Sequence, residues 1–204
     1  VVQGFGSVGY HTARFLAERG AILVAAAASR GAIYNPKGLD IAILHELKQG
    51  GNGVADYPDG ERLERDGVID VECDIWIPAA RPDVISKKNV DQLHTTLVIE
   101  GANIPITHNA ERILHKRGVL VVPDVVANAG GVICAAMEYQ GATQGMAMQT
   151  IEEKLRRNTR LVLEEAAAKN IPPREAAVNL AVQRVKKAMS YRRFSLCSSA
   201  PDYL

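Results

Sequence analysis

The chain has 204 residues, enough for one α/β domain with a substantial core but too few for two full domains. Its 24 basic and 23 acidic residues leave a formal charge of +1, so the composition favours a small-molecule ligand and gives no indication of a nucleic-acid or anionic-membrane partner. No apolar run approaches the ~20 residues of a membrane span, and the first residues lack a signal-peptide pattern, so we expect a cytoplasmic protein.

The first 27 residues have the pattern of a strand, a helix and a second strand. The first strand ends at Val2, the segment 4–9 turns into a helix, and the apolar run 21–27 is typical of a parallel strand covered on both faces. The apolar positions of the helix are Val8, Phe15 and Leu16. Such a unit places the turn at the carboxyl end of the first strand, where open α/β sheets bind ligands. Because that strand is short and no initial methionine is present, we expect the sequence to be a fragment.

The alternation of strands and helices continues to about residue 122. We expect a helix over 39–49 and an exposed excursion over 50–70. Further strands are expected over 74–78, 97–100 and 119–122, with helical segments over 86–94 and 107–117, and then helices over 128–140, 151–169 and 173–189. The pattern predicts an α/β fold with a Rossmann-like, doubly wound, mostly parallel sheet and C-terminal helices.

This pattern divides the chain into three parts. Residues 1–149 are predicted to form a dinucleotide-binding Rossmann domain, and the helices within 150–190 are predicted to pack back on it. The last helix carries an apolar stripe of Val178, Val182, Val185 and Met189. The tail over 191–204 has no readable pattern and no assigned role. The three cysteines lie outside any Cys or Cys/His ligand spacing, so we expect no metal site.

The segment 4–9 reads Gly-Phe-Gly-Ser-Val-Gly, and its three glycines suit the phosphate turn of a dinucleotide site. Gly4 permits a tight turn, Gly6 lets a pyrophosphate reach the backbone, and Gly9 lets the helix pack closely on the strand. The N-terminus of the helix adds free N–H groups and a partial positive charge. The motif alone is weak, because a glycine-rich turn without a ligand has the same letters. Its position between a strand and a helix favours dinucleotide binding.

The end of the second strand indicates which dinucleotide is preferred. An acidic residue there usually binds the adenosine ribose, but this chain has Ala27-Ala28-Ser29-Arg30 and no acid. A guanidinium can neutralise a 2′-phosphate that a carboxylate would repel, so we expect NADP to be preferred. If Arg30 is instead a solvated surface residue, NAD remains possible.

Three further segments identify a family. They are Pro78-Ala79-Ala80, Glu100-Gly101-Ala102-Asn103, and Pro123-Asp124 followed by Asn128-Ala129-Gly130-Gly131-Val132. With the glycine turn, they resemble the C-terminal coenzyme-binding domain of the glutamate dehydrogenase family, the Glu/Leu/Phe/Val dehydrogenases. The resemblance runs from Val1 to about Gln140 with the motifs in order, and continues more loosely through the long helices.

The resemblance implies an NAD(P)-dependent amino-acid dehydrogenase, most readily one that converts L-glutamate to 2-oxoglutarate and ammonia, assembled as a homohexamer. It implies that Ala79 and Ala80 flank the cofactor, that Asn103 contacts its ribose region and that Asn128 binds the nicotinamide carboxamide. The expected cofactor-binding residues are Gly4, Phe5, Gly6, Ser7, Val8, Gly9, Ser29, Arg30, Ala79, Ala80, Asn103 and Asn128. The expected substrate-pocket residues are Asn128, Val132 and Ala135.

The sequence departs from the family in two respects. The family's catalytic lysine and aspartate belong to a preceding substrate domain that is absent here, so we assign no catalytic residue and expect this chain alone to be inactive. Glutamate-specific members commonly have a serine where this chain has Ala135, so a branched-chain or aromatic substrate is an alternative. A catalytically inactive dinucleotide-binding module is another. A short-chain dehydrogenase is disfavoured because no Tyr-x-x-x-Lys pair is present.

Overall fold

The computed structural model describes residues 1–191, and a mostly parallel seven-stranded sheet lies at the centre of this part of the chain. The strands are β1 (Val2–Gln3), β2 (Ala25–Ala28), β3 (Gly31–Tyr34), β4 (Glu61–Leu63), β5 (Ile75–Pro78), β6 (Leu97–Ile99) and β7 (Leu120–Val122). Their order is β4-β3-β2-β1-β5-β6-β7; β2, β1, β5, β6 and β7 are parallel, and β3 and β4 are antiparallel additions at one edge. This arrangement confirms the predicted Rossmann-like α/β fold.

The helices begin and end at residues whose chemistry suits those positions. They are α1 (Ser7–Ala17), α2 (Ile41–Gln49), α3 (His108–Lys116), α4 (Asp124–Ala127), α5 (Gly130–Tyr139), α6 (Gln144–Lys169) and α7 (Pro173–Ser190). The carboxylate of Asp40 accepts the N–H groups of Ala42 and Ile43 and so caps α2. Asn170 adopts the left-handed conformation that ends α6, and Pro173 begins α7 at the position where a missing N–H costs nothing.

The hydrophobic core lies on both faces of the sheet. Val1 and Trp76 belong to one buried cluster, whereas Val2 and Ile77, the residues that follow them, belong to the other. Because successive strand side chains point to opposite faces, the two clusters lie on opposite sides of the sheet. A third cluster joins α4 to α6 and α7 through Val126, Val162, Ala166, Ala176 and Ala177.

Helix α1 packs on the sheet through its small residues rather than through its large ones. Gly9 and Ala13 are buried, whereas Val8 and Phe15 are 45% and 40% exposed. A Cβ atom on Gly9 would lie 2.1 Å from the carbonyl oxygen of Gly4. The predicted apolar face is therefore wrong at Val8 and Phe15, because the close approach of helix and strand turns the large side chains outward.

Several predicted elements differ from the observed ones. The strand expected over 21–27 is Ala25–Ala28, and the unpredicted strand β3 follows it after a turn of only two residues, Ser29 and Arg30. The segment 50–70 is not simply an exposed excursion, since it contains β4 and the buried residues Val54 and Val68. The segment 86–94 is wrong as a helix, because only a 3-10 turn over Val90–Gln92 forms there.

The C-terminal half also differs in its helix boundaries. The helix expected over 128–140 is two helices, with Asn128 at the end of α4 and Gly130 at the start of α5. Helix α6 begins at Gln144, so the predicted division at 149/150 falls inside a helix and stays a prediction. Among residues 1–191, no helix combines the length and apolar character needed to cross a membrane. The tail prediction for 192–204 lies outside the described residues.

Candidate functional site

A cleft opens between the carboxyl ends of β1 and β5, which are adjacent and parallel. After β1 the chain continues to β2, towards one edge of the sheet, and after β5 it continues to β6, towards the other edge. Ligands of open α/β sheets bind at such a switch point. The cleft has a volume of about 360 Å³. Its lining consists of Gln3, Gly4, Phe5, Gly6, Ala27, Ala28, Ser29, Lys48, Arg65, Ala79, Ala80 and Arg81. The fold therefore brings the glycine turn, Ser29 and the Ala79-Ala80 pair to one site.

The glycine turn forms the start of α1 at the mouth of this cleft. Gly4 has a φ of +104°, and a Cβ atom there would lie 2.6 Å from the backbone nitrogen of Ala80. At Gly6, by contrast, a Cβ atom would have no neighbour within 4 Å. Gly6 is the N-cap of α1 and offers no side chain to cap it, so the first N–H groups of the helix, beginning at Ser7, have no side-chain acceptor at the cap. Val8 and the buried Gly9 lie in the same first turn.

Backbone hydrogen bonds hold the other motifs against the glycine turn. The N–H of Ala79 donates to the carbonyl of Gln3 at 2.7 Å, and the N–H groups of Gly101 and Ala102 donate to the carbonyl of Pro78 at 3.0 and 2.8 Å. A Cβ atom on Gly101 would lie 3.3 Å from the Cβ of Ala79. Three motifs that are far apart in sequence therefore meet through backbone contacts.

Asn103 and Asn128 are also brought together. The Nδ2 of Asn128 donates to the Oδ1 of Asn103 at 3.2 Å, across a sequence separation of 25 residues. Val132 and Ala135, the other predicted substrate-pocket residues, lie along α5, and both are exposed. The two asparagines leave amide groups available to a ligand, because each has capacity for more hydrogen bonds than the one that joins them.

Ser29, at the tip of the β2–β3 hairpin, lines the cleft, whereas Arg30, beside it, does not. Arg30 is exposed and its Nη2 donates to the carbonyl of Gly51. The cations that line the cleft are Lys48, Arg65 and Arg81, none of which the sequence indicated. Lys48 also lines a second groove beside Gly6 and Ser7, between α1 and α2.

Two of these three cations share a carboxylate. Arg65 and Arg81 contact Asp66 at 2.8 and 3.2 Å. The hydrogen bond from Arg65 lowers the pKa of Asp66, and Arg81 lowers it further, against the opposing effect of burial. Within residues 1–191, Lys48 has no carboxylate within 4.0 Å. Lys48 is therefore the lining cation whose charge is available to an anionic ligand.

A buried ionic cluster, also unpredicted, lies behind the two asparagines. Arg174, in the first turn of α7, donates to Glu100, to Glu111 at 3.0 Å and to Asp124 at 2.8 Å. The three carboxylate residues are 0%, 3% and 7% exposed. Asp124 is doubly connected, because its own N–H donates to the Oε2 of Glu100 at 2.7 Å and its Oδ2 accepts from the N–H of Ile104 at 2.8 Å.

This cluster has three carboxylates for one guanidinium, and the pKa values reflect the imbalance. Burial raises the pKa of Glu100 to about 7, although Arg174 acts in the opposite direction. Burial likewise raises the pKa of Glu111. The pKa of Asp124 is lowered despite burial, because the N–H of Ile104 and the guanidinium of Arg174 both bind its charged form. We therefore expect Asp124 to be the most firmly ionised member of the cluster.

The residues present fit a dinucleotide. The position of the missing Cβ of Gly6 is open, the start of α1 has no side-chain cap, and Lys48 supplies a positive charge beside it. At the floor of the cleft, the Oε1 of Gln3 is buried and has no hydrogen-bond partner within the described part of the chain. Among residues 1–191, no group of three or more His, Cys, Asp or Glu side chains is arranged so that it could hold a metal ion. The fold and the cleft define a Rossmann-like protein of the nucleotide-binding class.

Comparison with known proteins identifies the family. The model of the Glutamate/Leucine/Phenylalanine/Valine dehydrogenase family matches residues 1–193, so the chain belongs to this family. It is 41% identical over 202 residues to a glutamate dehydrogenase of Aeropyrum pernix, a match that covers 94% of the chain and 48% of the relative. It is 34% identical over 200 residues to the NADP-specific glutamate dehydrogenase of Saccharolobus shibatae, covering 94% and 47%.

Solved structures have the same fold. The chain superposes on the hetero-hexameric glutamate dehydrogenase of Thermus thermophilus, in its Leu-bound form, with a TM-score of 0.83 and 27% identity. The match covers 95% of this chain and 47% of that one. The chain thus spans about half the length of the relatives it matches. The predicted family resemblance is confirmed.

Proposed function

We propose that this chain is the coenzyme-binding domain of an NAD(P)-dependent amino-acid dehydrogenase that acts in the cytoplasm. The observation that carries the proposal is the cleft between β1 and β5, where the glycine turn, Ser29 and the Ala79-Ala80 pair line one space beside the uncapped start of α1. The family membership supports it, because the matched relatives carry the name glutamate dehydrogenase.

Each part of the site has a role in binding the dinucleotide. The N–H groups that follow Gly6 receive the pyrophosphate, and Ala79 and Ala80 leave room for a ribose and a flat ring because their side chains are small. Asn103 and Asn128 receive the nicotinamide end of the coenzyme, since an amide can match a carboxamide donor for acceptor. A nicotinamide held by these residues would supply a hydride acceptor for oxidation of an amino acid. The described residues contribute binding and orientation, and we assign no proton-transfer residue among them.

The experiment that tests the binding proposal compares two glycines, one that lines the cleft and one on α6. At both of them an added Cβ atom would have no neighbour within 4 Å. Gly6→Ala fits the backbone, because the φ and ψ of Gly6 are −98° and −157°, and the new methyl enters the space meant for the pyrophosphate. Calorimetric titration with NADPH is expected to show at least ~10-fold weaker binding, while the free energy of unfolding changes by less than about 1 kcal/mol. Gly145→Ala, also in open space but in α6, is the matched control and should leave binding unchanged.

NADP is the preferred coenzyme in this proposal. Ser29 lines the cleft, and the described residues that line it include no acid. Within residues 1–191 Lys48 has no carboxylate partner, and Arg30 lies one residue further along the hairpin tip. The Saccharolobus relative is named as NADP-specific, which supports the same choice. Charge-assisted hydrogen bonds to the 2′-phosphate are worth ~1–3 kcal/mol, so NADP should bind about 5- to 150-fold more tightly than NAD.

Substitutions of the two cations decide which of them recognises the phosphate. Arg30→Asp should reverse the preference if Arg30 releases the carbonyl of Gly51 and turns to the coenzyme. If Lys48 recognises the 2′-phosphate instead, Lys48→Gln should weaken NADP about tenfold and leave NAD within about twofold, and Lys154→Gln on α6 is the control. Equal affinities for NADP and NAD in the parent chain would refute the preference and leave NAD as the cofactor.

Glutamate is the proposed substrate, because the matched relatives are glutamate dehydrogenases. A branched-chain or aromatic amino acid is the alternative, favoured by the apolar and exposed positions of Val132 and Ala135 on α5. A comparison of kcat/KM for glutamate, leucine, valine and phenylalanine in the complete enzyme decides between them. We further propose a homo-oligomer, a hexamer by family resemblance. The 51%, 45% and 58% exposure of Val178, Val182 and Val185 supports contact with further protein.

A further inference from the structure

We propose that Asp124 and Arg174 are positioning residues that hold Asn103 and Asn128 in the arrangement that receives the nicotinamide end of the coenzyme. The inference rests on the proposed function and adds to it two residues that do not line the cleft. It follows from the hydrogen bonds around Asp124, which connect one buried side chain to both asparagine segments.

Asp124 is bonded to each of the two segments through a different group. Its Oδ2 accepts from the N–H of Ile104, the residue that follows Asn103, at 2.8 Å. Its backbone carbonyl accepts from the N–H of Asn128, also at 2.8 Å. The side chains of Asn103 and Asn128 then meet each other at 3.2 Å. Displacement of Asp124 would therefore move both amide groups and the contact between them.

The segment that carries Asn103 needs this support. Ile104 has a φ of +46°, a left-handed conformation that a β-branched residue rarely adopts. Its side chain is 59% exposed, so burial of that side chain does not hold the residue in this conformation. The hydrogen bond to Asp124 and one from the N–H of Asp83 to the carbonyl of Ile104, at 3.0 Å, are the contacts that fix its peptide groups. The strain is thus maintained by a specific acceptor on α4.

Arg174 in turn fixes Asp124. Its Nη1 binds the Oδ1 of Asp124 at 2.8 Å, while its other nitrogens bind Glu100 and Glu111. Packing of Val126 against α6 and α7 holds the same helix from the apolar side. A buried group of three carboxylates and one cation contributes little net stability, because desolvation offsets the attraction. The ionic group does fix the position of α4, because it binds Asp124, the residue to which both asparagine segments are hydrogen-bonded.

The test separates the two ends of the coenzyme. Asp124→Asn keeps the shape of the side chain, and the N–H groups of Ile104, Val125 and Arg174 still point at its two terminal atoms. One of those two atoms is now an NH₂ group, which cannot accept a hydrogen bond, so at least one of these bonds is lost. We expect Kd for NADPH to rise about tenfold, as for loss of one well-placed hydrogen bond. Kd for adenosine 2′,5′-bisphosphate, which has the adenine half and no nicotinamide, should stay within about twofold.

Arg174→Lys provides a second variant that retains a positive charge but loses the planar fork. Residue 174 lies on α7 and does not line the cleft, so a selective loss of NADPH affinity in this variant would be transmitted by the carboxylates that Arg174 binds, Asp124 and Glu100. Asp40→Asn is the matched control, since one Oδ1 atom accepts both of its backbone bonds and an asparagine can keep them. This control should bind both ligands like the parent chain.

Hydrogen exchange of the Ile104 amide is the readout that needs no ligand, and it should accelerate at least about tenfold in Asp124→Asn. Equal weakening of the two ligands in the folded variants, or no weakening of either, would overturn the positioning role. So would unchanged protection of Ile104. If the parent chain binds neither NADPH nor the adenine fragment, the proposed function fails, and the inference fails with it.

Discussion

Replacement of Glu100 by glutamine should change how the stability of this protein depends on pH. Burial raises the pKa of Glu100 from 4.5 to about 7 in the folded chain, so its protonated form is favoured by folding. The stabilisation from this proton is fully present below pH 4.5 and is lost as pH rises through about 7. In Glu100→Gln, a group of nearly the same shape carries no charge at any of these pH values.

The expected size of the effect follows from the two pKa values. Linkage between about pH 5 and about pH 8 gives a loss of roughly 2–3 kcal/mol in the free energy of unfolding for the parent, and none from residue 100 in the variant. The pKa of Glu111 is also raised, so its ionisation lowers the free energy of unfolding as pH rises, and it does so in both the parent and the variant. The lowered pKa of Asp124 acts only at more acidic pH. The difference between the two profiles therefore isolates Glu100.

Urea denaturation measures these profiles through Trp76, which is the single tryptophan of the chain and is fully buried. Glu152→Gln is the matched control, because that carboxylate is exposed in a pair with Arg156 at 2.9 Å on α6. The control should follow the parent profile. Parallel profiles for the parent and Glu100→Gln would refute the raised pKa of Glu100.

Other predictions concern the glycine turn and the chemistry. Gly9→Ala should lower the free energy of unfolding by at least about 2 kcal/mol in urea denaturation, because its methyl would meet the carbonyl of Gly4; stability equal to that of Gly6→Ala would contradict the packing. These 204 residues alone should show no oxidation of glutamate, leucine, valine or phenylalanine with either coenzyme, and turnover above the uncatalysed rate would show that they suffice for catalysis. In the complete enzyme, Ala135→Ser should raise kcat/KM for glutamate relative to leucine; an unchanged ratio would place residue 135 away from the substrate.

The sequence alone was sufficient for the parallel part of the sheet and for the motifs at its carboxyl edge. The glycine turn, the Pro78-Ala79-Ala80 segment and the Asn103 segment each follow an apolar strand directly. In a parallel sheet, the carboxyl ends of the strands meet at one edge, so local pattern predicts their proximity. The resemblance to the dehydrogenase family rested on the same residues, and the family match confirms it.

The helix–sheet contact shows where local pattern was insufficient. The apolar spacing of Val8 and Phe15 predicted the buried face of α1, but the absence of a side chain on Gly9 brings the helix so close that small residues fill the interface. The hairpin at Ser29 and Arg30 was missed for a related reason. Strand β3 is only four residues long, and it is stabilised by pairing with β2 and β4 rather than by its own sequence pattern.

The sequence by itself therefore determined the class of fold, the glycine turn and the family, because these depend on residues adjacent in the chain. The tertiary structure decided the rest. Lys48 lines the cleft only because α2 returns to the start of α1, and Arg174 finds its three carboxylates 50, 63 and 74 residues away. Such charge contacts leave no periodic signal in a sequence, since their partners are chosen by the packing of α7 against α4 and the ends of the strands.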